Sequence, residues 1–296
     1  MAAWMRDKPD WARLYGRMVE HKAGRSVPPP TKYHQTECHS YYPGLAAHEF
    51  WDRKDAWWCN HVEESVATLE RFYPDIKAEM LALRKSALQQ YRQPNVACTE
   101  RELSTDGETT LLHKDGDWNV LYLQLEGADC SEQRALAPIA SRIARSLKRA
   151  SGHALFSVLD PGTHILPHCG PSNHRLRLHL GLVIPQPCSI RVGEETRTWE
   201  EGKVLVLDDA FEHEVRNDSS EQRIVLLVDV WHPHFSEKEI LFLEQMRTAK
   251  RRSEGGREGA QMVQAPAVPS ASDTTLGQAL TANARPNEEN ELAMST

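Results

Sequence analysis

The sequence predicts a mainly β fold with flanking helices, and two observations support this prediction. Residues 154–232 contain about eight short runs in which apolar and polar residues alternate, and Gly, Pro, Asn or Asp punctuate most of the gaps. The regions on either side instead carry apolar residues at three- and four-residue steps, which is the helical period. So many short strands in so short a segment are typical of a double-sheet jelly roll or a small barrel.

The predicted strands follow one another closely along the chain. Successive side chains of a strand point to opposite faces of its sheet, so each alternating run has an apolar face that can enter a core. The predicted strands cover residues 154–160, 165–170, 175–184, 189–192, 196–199, 203–207, 212–216 and 223–231.

Three segments have helical periodicity. The first covers residues 49–90 and is interrupted by Pro74, the second covers 131–150, and the third covers 236–252. In the third segment Ser236 is a plausible N-cap, because a Glu stands three residues further on. The second segment has a basic face that we expect to be exposed to solvent, formed by Arg142, Arg145, Lys148 and Arg149.

These elements define three regions of the chain. Residues 1–48 are rich in Pro and aromatic residues and are predicted to form an extended strap. Residues 49–253 are predicted to form a helix-buttressed domain around a β core at 154–232. Residues 254–296 have no aromatic residue and no apolar periodicity, so they cannot bury enough apolar area to fold and are predicted to be disordered.

Composition excludes several classes of protein. With 35 basic and 42 acidic residues the net charge is -7, which disfavours a nucleic-acid partner. No apolar run reaches the length of a membrane span, and the N-terminal residues do not form a signal peptide, so a cytoplasmic location is expected. The six cysteines are spread singly and are expected to be reduced thiols.

The predicted strand at 175–184 is unusual because it is basic on one face. Alternation places Arg175, Arg177 and His179 on one face and four leucines on the other. The leucine face is a core face. On an outer sheet the basic face would be an ordinary surface, whereas inside a jelly roll it would form a cationic pocket that is costly unless an anion is bound.

Two histidines and an arginine flank this strand at a suggestive spacing. His168 and His213 match the two-histidine half of a non-haem iron site, and Arg223 matches the anchor for a dicarboxylate cosubstrate. Iron(II) oxygenases usually add a carboxylate two residues after the first histidine, but Gly170 occupies that position here. Judged by this usual ligand set alone, the absence of the carboxylate counts against a metal site.

Five segments in order resemble the aspartyl/asparaginyl β-hydroxylases, a family that holds iron with two histidines and has Gly at the carboxylate position. The resemblance spans about residues 50–235. The segments are Pro161-Gly-Thr-His-Ile-Leu-Pro-His-Cys-Gly-Pro171, Arg175-Leu-Arg-Leu-His-Leu-Gly-Leu-Val-Ile-Pro185, Thr198-Trp-Glu-Glu-Gly-Lys-Val204, Asp208-Asp-Ala-Phe-Glu-His-Glu-Val215 and Val228-Asp-Val-Trp-His-Pro233.

This resemblance implies a double-stranded β-helix, cupin-like, and an iron(II)- and 2-oxoglutarate-dependent dioxygenase. It implies that His168 and His213 are the iron ligands and that Arg223, helped by Ser157, pairs with the distal carboxylate of 2-oxoglutarate. Arg177 and His179 would hold the proximal carboxylate side, Trp118 would line the same pocket, and Arg175 would contact the substrate. Dioxygen would be the second cosubstrate, and the product a β-hydroxylated Asp or Asn side chain in a peptide or protein.

Alternatives remain open at this point. The known protein hydroxylases of the family carry helical repeats, a membrane anchor and a cysteine pair that we do not find here, so a lipid or small metabolite could be the substrate. A binding module that has lost turnover is a further alternative, although it would have no need of both histidines and Arg223. The oligomeric state is not predicted.

Other polar residues near these motifs are interpreted as structural. His164, His174, His232 and His234 are expected to make loop or capping contacts, and Cys169 is expected to point away from the side used by His168. Asp208 and Asp209 look like turn-forming residues.

Overall fold

A computed structural model describes residue 42 and residues 44–86, 113–125 and 130–254. The described residues up to Arg251 belong to one compact unit, and of a second unit that begins at Arg252 only residues 252–254 are described. Most of the predicted strap lies outside the described residues, as does the predicted disordered tail from residue 255 onward. None of the described helices is long and apolar enough to cross a membrane.

The described strands form two five-stranded sheets in which every pairing is antiparallel. The strands are β1 (His113–Lys114), β2 (Trp118–Gln124), β3 (Ala150–Leu159), β4 (His164–His168), β5 (Arg175–Val183), β6 (Cys188–Val192), β7 (Glu195–Arg197), β8 (Val204–Leu207), β9 (His213–Asn217) and β10 (Arg223–Trp231). Sheet I has the order β1-β4-β9-β6-β7 and sheet II the order β2-β3-β10-β5-β8. This arrangement confirms the predicted jelly roll.

All eight predicted strands are present as β3 to β10, and all except β10 have shifted ends. β1 and β2 were not predicted. The helices are α1 (Asn60–Arg71), α2 (Tyr73–Ser86), α3 (Ser131–Leu136), α4 (Pro138–Ser146) and α5 (Glu237–Glu254).

The predicted helix over 49–90 is wrong at its start. Phe50 forms an antiparallel bridge with Leu207, and the backbone N–H of Trp51 donates to the carbonyl of Val206 at 3.0 Å. These residues extend the edge of sheet II beside β8, because an open strand edge has backbone groups to pair.

The predicted helix over 131–150 is two helices, and it is shorter than expected. Pro138 begins α4, a position where its missing N–H costs nothing, and α3 ends just before it. The chain leaves α4 at Ser146 and enters β3 at Ala150. The sequence pattern therefore identified the helical region but not its division.

The basic face predicted for residues 131–150 is exposed except at Arg149. The prediction that Arg149 is exposed is wrong. Arg142, Arg145 and Lys148 are exposed, whereas Arg149 is buried and its guanidinium donates to the backbone carbonyl of Phe235. Because α4 has already ended, Arg149 does not share the solvent-facing side of the helix.

The start of α5 is capped as predicted. The backbone N–H of Ser236 donates to Glu239 Oε2 at 2.8 Å, and the backbone N–H of Glu239 donates to Ser236 Oγ at 3.2 Å. This reciprocal pair is a capping box.

The core lies on both sides of sheet II. On its outer side the helices cover the apolar face of β5, where Leu176, Leu178, Leu180 and Leu182 are completely buried. On its inner side a second cluster joins the two sheets. The leucine face of β5 is thus a core face, as predicted, and Arg177 and His179 face sheet I across the interior.

Candidate active site

His168 and His213 meet in sheet I because β4 carries an extra residue. Ile165 pairs with Val215 and His168 pairs with His213, so three steps along β4 match two steps along β9. This bulge turns His168 to the same face as Ile165, inside the barrel. The two imidazole rings lie 4.2 Å apart between centroids.

Each of these histidines is oriented by a backbone carbonyl two residues earlier. His168 Nδ1 lies 2.7 Å from the carbonyl oxygen of Leu166, and His213 Nδ1 lies 2.9 Å from that of Phe211. A carbonyl only accepts, so both Nδ1 atoms carry the proton and Nε2 is the atom suited to a metal. Burial, reinforced by the neighbouring His168, lowers the pKa of His213 to about 3. His213 is therefore suited to bind a cation as a neutral imidazole.

Gly170 is required because Asp209 fills the space beside it. A Cβ at position 170 would lie 2.3 Å from Asp209 Oδ2, and the Gly170 N–H donates to the Asp209 carbonyl at 2.6 Å. A side chain at position 170 is therefore excluded by the carboxylate of Asp209, which lies in the connection between β8 and β9. Within the described residues no third His, Cys, Asp or Glu completes a metal-binding group with the two histidines.

Asp209 is part of a buried ion network, and the interpretation of Asp209 as a turn-former alone is wrong. Its Oδ2 lies 2.9 Å from Arg175 Nη2 and 3.1 Å from Arg177 Nη1. Burial by itself would raise the pKa of Asp209, but the two guanidinium groups outweigh it and hold that pKa well below its usual range. Asp208, by contrast, forms the expected turn, since its Oδ1 accepts from the N–H of Ala210 at 2.9 Å.

Asp229 on β10 completes this network from the opposite side. Its Oδ1 lies 2.9 Å from Arg177 Nε and its Oδ2 lies 3.1 Å from Arg175 Nη1. Two arginines and two aspartates therefore balance in charge. The cationic face predicted on β5 is therefore neutralised by two aspartates of the protein itself, which the sequence analysis did not predict. The available signal was an aspartate in each of two family motifs, Asp209 and Asp229.

Arg223 has the opposite character, because none of the described carboxylates pairs with it. It is 2% exposed, its Nε has no partner, and its Nη1 lies 3.5 Å from Ser157 Oγ. The indole N–H of Trp118 donates to the same Ser157 oxygen at 3.0 Å. Burial lowers the pKa of Arg223 to about 10, so the side chain stays charged at neutral pH. A buried, unpaired cation calls for an anionic ligand.

His179 presents a second unused polar atom to the same interior. Its Nδ1 accepts from the indole N–H of Trp199 at 3.2 Å, and its buried Nε2 has no partner. Burial, together with Arg177 and Arg223, holds the pKa of His179 well below its usual value. Trp199 lies within one of the five family motifs but was not predicted as a site residue.

These side chains line one cleft between the sheets, which contains about 640 Å³ of empty space including the part open to solvent. Seven of the eight predicted site residues line it, and Arg175 does not. The lining also includes residues that were not predicted. The described lining residues are Trp118, Val120, Tyr122, His153, Leu155, Ser157, Ile165, His168, Arg177, His179, His213, Val215, Arg223 and Leu227.

The remaining histidines make structural contacts, in agreement with their interpretation. His164 faces away from the cleft and its Nε2 lies 2.7 Å from Glu214 Oε2. His174 contacts Ser172 and Arg247. His232 Nε2 lies 3.0 Å from the carbonyl oxygen of Ala46, and His234 Nδ1 accepts from the N–H of Ala46 at 3.4 Å.

Comparison with known proteins identifies the family of this chain. A family model described as Aspartyl/Asparaginyl beta-hydroxylase matches residues 70–233. The chain therefore belongs to the aspartyl/asparaginyl β-hydroxylase family.

Individual relatives differ in what their names describe. The human aspartyl/asparaginyl beta-hydroxylase is 37% identical over 198 residues, which cover 65% of this chain and 24% of that protein. The ornithine lipid ester-linked acyl 2-hydroxylase of Rhizobium tropici is 36% identical over 171 residues, covering 57% of each. The match thus spans about a quarter of the human protein and just over half of the bacterial one.

Among solved structures, a prolyl-4-hydroxylase of Pseudomonas putida is similar with a TM-score of 0.32. It is 17% identical, and the similarity covers 53% of this chain and 86% of that chain.

Proposed function

We propose that this protein is an iron(II)- and 2-oxoglutarate-dependent dioxygenase. The observation that carries the proposal is Arg223, a buried guanidinium without a carboxylate partner in the described part of the chain, which lines the same cleft as His168 and His213. A dicarboxylate whose far end pairs with Arg223 would extend toward the histidine pair.

The other polar residues of the cleft fit the same ligand. Ser157 accepts from Trp118 and Arg223, which leaves its own O–H to donate to a carboxylate. His179 and Arg177 would hold the proximal carboxylate side. His168 and His213 would hold iron(II), which when bound supplies the activation of dioxygen that side chains cannot perform.

We further propose that the product is a β-hydroxylated Asp or Asn side chain of a peptide or protein, supported by family membership and by the name of the human relative. Arg175 does not line the cleft and would act on the substrate indirectly, through Asp209 and Asp229, the two carboxylates that it shares with Arg177. A cytoplasmic location is proposed with this activity, supported by Cys59 and Cys188, which carry free thiols.

A second candidate is hydroxylation of a lipid or a small metabolite. One observation favours it, namely an apolar patch on the cleft wall formed by Val120, Leu155 and Leu227. The name of the Rhizobium relative agrees with it. Succinate release assayed against acidic peptides and against acyl lipids separates the two candidates.

The test of the cosubstrate assignment is substitution of Arg223. Arg223→Lys keeps the charge but loses the paired N–H donors, and Arg223→Ala loses both. Removing one partner of a buried charged pair costs about 2–5 kcal/mol, so the Kd for 2-oxoglutarate should rise from wild type to Lys to Ala. The metal-to-ligand charge-transfer band on titration of 2-oxoglutarate into iron-loaded protein measures this Kd.

Iron content should stay constant in both variants, because Arg223 is not a metal ligand. Arg191→Ala is the matched control, since that arginine pairs with Glu212 and Glu214 in sheet I and does not line the cleft. Equal Kd values for wild type and Arg223→Ala would contradict the proposal.

A further inference from the structure

Trp199 contacts two of the polar residues that the cosubstrate would meet, His179 and Arg223. It is 3% exposed and lies in the loop between β7 and β8. Its indole N–H donates to His179 Nδ1 at 3.2 Å, and the guanidinium carbon of Arg223 lies 4.9 Å from the centroid of its ring. No chemistry has been assigned to this residue so far.

The hydrogen bond decides which nitrogen of His179 carries the proton. An indole N–H is only a donor, so His179 Nδ1 must be the acceptor and must be unprotonated. A neutral imidazole then carries its single proton on Nε2. That atom is buried without a protein partner in a residue that lines the cleft, so it is an available donor to a ligand.

The position of Trp199 is itself set by a glycine of β5. A Cβ at Gly181 would lie 2.5 Å from the carbonyl oxygen of Glu200, so only Gly lets the loop approach the strand. The N–H of Gly202 donates to the Gly181 carbonyl at 2.9 Å, and the N–H of Gly181 donates to the Lys203 carbonyl at 3.1 Å. These bonds hold the indole beside His179, two residues before Gly181 on the same face of β5.

We propose that Trp199 is a positioning residue that keeps His179 in the tautomer protonated on Nε2 and so supplies a donor for the cosubstrate. The inference rests on the proposed function for the identity of the ligand. The tautomer itself does not depend on that function and can be measured separately.

The first experiment reads the tautomer in the full-length chain labelled with ¹⁵N-histidine. The ¹⁵N signals of His179 are assigned by their loss in a His179→Gln variant. In the wild type these signals should show that Nε2 is protonated and Nδ1 is not. Trp199→Phe keeps an aromatic ring below Arg223 but removes the N–H donor, so both tautomers should become populated. A wild-type His179 protonated on Nδ1 would overturn the proposal without any variant.

The second experiment measures binding of 2-oxoglutarate to the iron-loaded protein. Loss of one hydrogen bond should raise its Kd about three- to tenfold in Trp199→Phe, while kcat at saturating 2-oxoglutarate changes little. Trp51→Phe is the matched control, because Trp51 is equally buried and its indole nitrogen has no partner. It should leave both the Kd and the tautomer unchanged.

A double variant separates positioning from general packing. If Trp199 acts through His179, Trp199→Phe should raise the Kd no further in a His179→Gln background. An additional rise of the same size would reduce Trp199 to a packing residue. Failure of the wild type to bind 2-oxoglutarate would instead count against the proposed function, and the tautomer measurement would still stand.

Discussion

At the scale of single residues, Gly170 shows how the absence of a side chain can be a structural requirement. The Cβ of any other residue at this position would lie 2.5 Å from Asp209 Cγ and 2.9 Å from the Asp209 backbone oxygen. Asp209 cannot withdraw freely, because both Arg175 and Arg177 hold its carboxylate. Gly170 is therefore required by the packing of the ion network beside it.

We predict that Gly170→Asp does not improve activity and that both Gly170→Asp and Gly170→Ala lower stability. Overpacking of this kind typically costs about 1–3 kcal/mol, and the added carboxylate would also face Asp209. Urea unfolding and succinate release measure the two effects. A several-fold gain in activity for Gly170→Asp would show that the space beside His168 can accept a ligand.

At the scale of elements, α4 depends on a neighbouring helix for its cap. Its N-cap residue, Ala137, provides no side-chain acceptor. Glu79 of α2 does so instead, accepting from the N–H of Ile139 at 2.7 Å and from that of Ala140 at 2.8 Å. A carboxylate at this end of a helix is also favoured by the helix dipole.

We predict that Glu79→Ala destabilises the domain by about 1–2 kcal/mol, because it leaves these amide groups without a cap. Glu79→Gln should lose less, since it keeps one acceptor. Glu64→Ala is the control, because Glu64 is exposed and forms a surface ion pair, with its Oε2 3.6 Å from Lys148 Nζ. Such surface pairs contribute about 0–1 kcal/mol to stability. Equal free energies of unfolding for the Glu79 and Glu64 variants would contradict the capping role.

At the scale of the whole molecule, His232 joins the segment before α1 to the end of β10. Its Nε2 lies 3.0 Å from the carbonyl oxygen of Ala46, and its Nδ1 accepts from the N–H of His234 at 3.2 Å. Both ring nitrogens are thus used by the neutral form. Burial, helped by the nearby His234, lowers the pKa of His232 to about 3.

This depressed pKa predicts that stability falls on acidification. When the pH falls below the ordinary histidine pKa of 6.5, His232 becomes protonated in the unfolded chain. In the folded chain it stays neutral until the pH approaches its lowered pKa of about 3. The free energy of unfolding should fall by up to about 1.4 kcal/mol per pH unit from this group. His232→Gln should reduce that slope in urea unfolding between pH 7 and pH 5. Parallel slopes for the two proteins would contradict the prediction.

Much of the fold followed from local pattern. The alternation of β5 was enough to separate its leucine face from its polar face, because a strand has a period of two and one face must be buried. The capping box at Ser236 was equally local. The pairing of Phe50 with β8 and the burial of Arg149 were not local, because both depend on what packs nearby.

The sequence by itself determined the family, the jelly roll and seven of the residues that line the cleft. Only the tertiary structure decided how they face one another. The extra residue in β4 turns His168 inward, and Asp209 and Asp229 reach the arginines of β5 from distant parts of the chain. Bulges and long-range ion pairs have little local signature, because they satisfy backbone and charge requirements that arise only once the sheets have packed together.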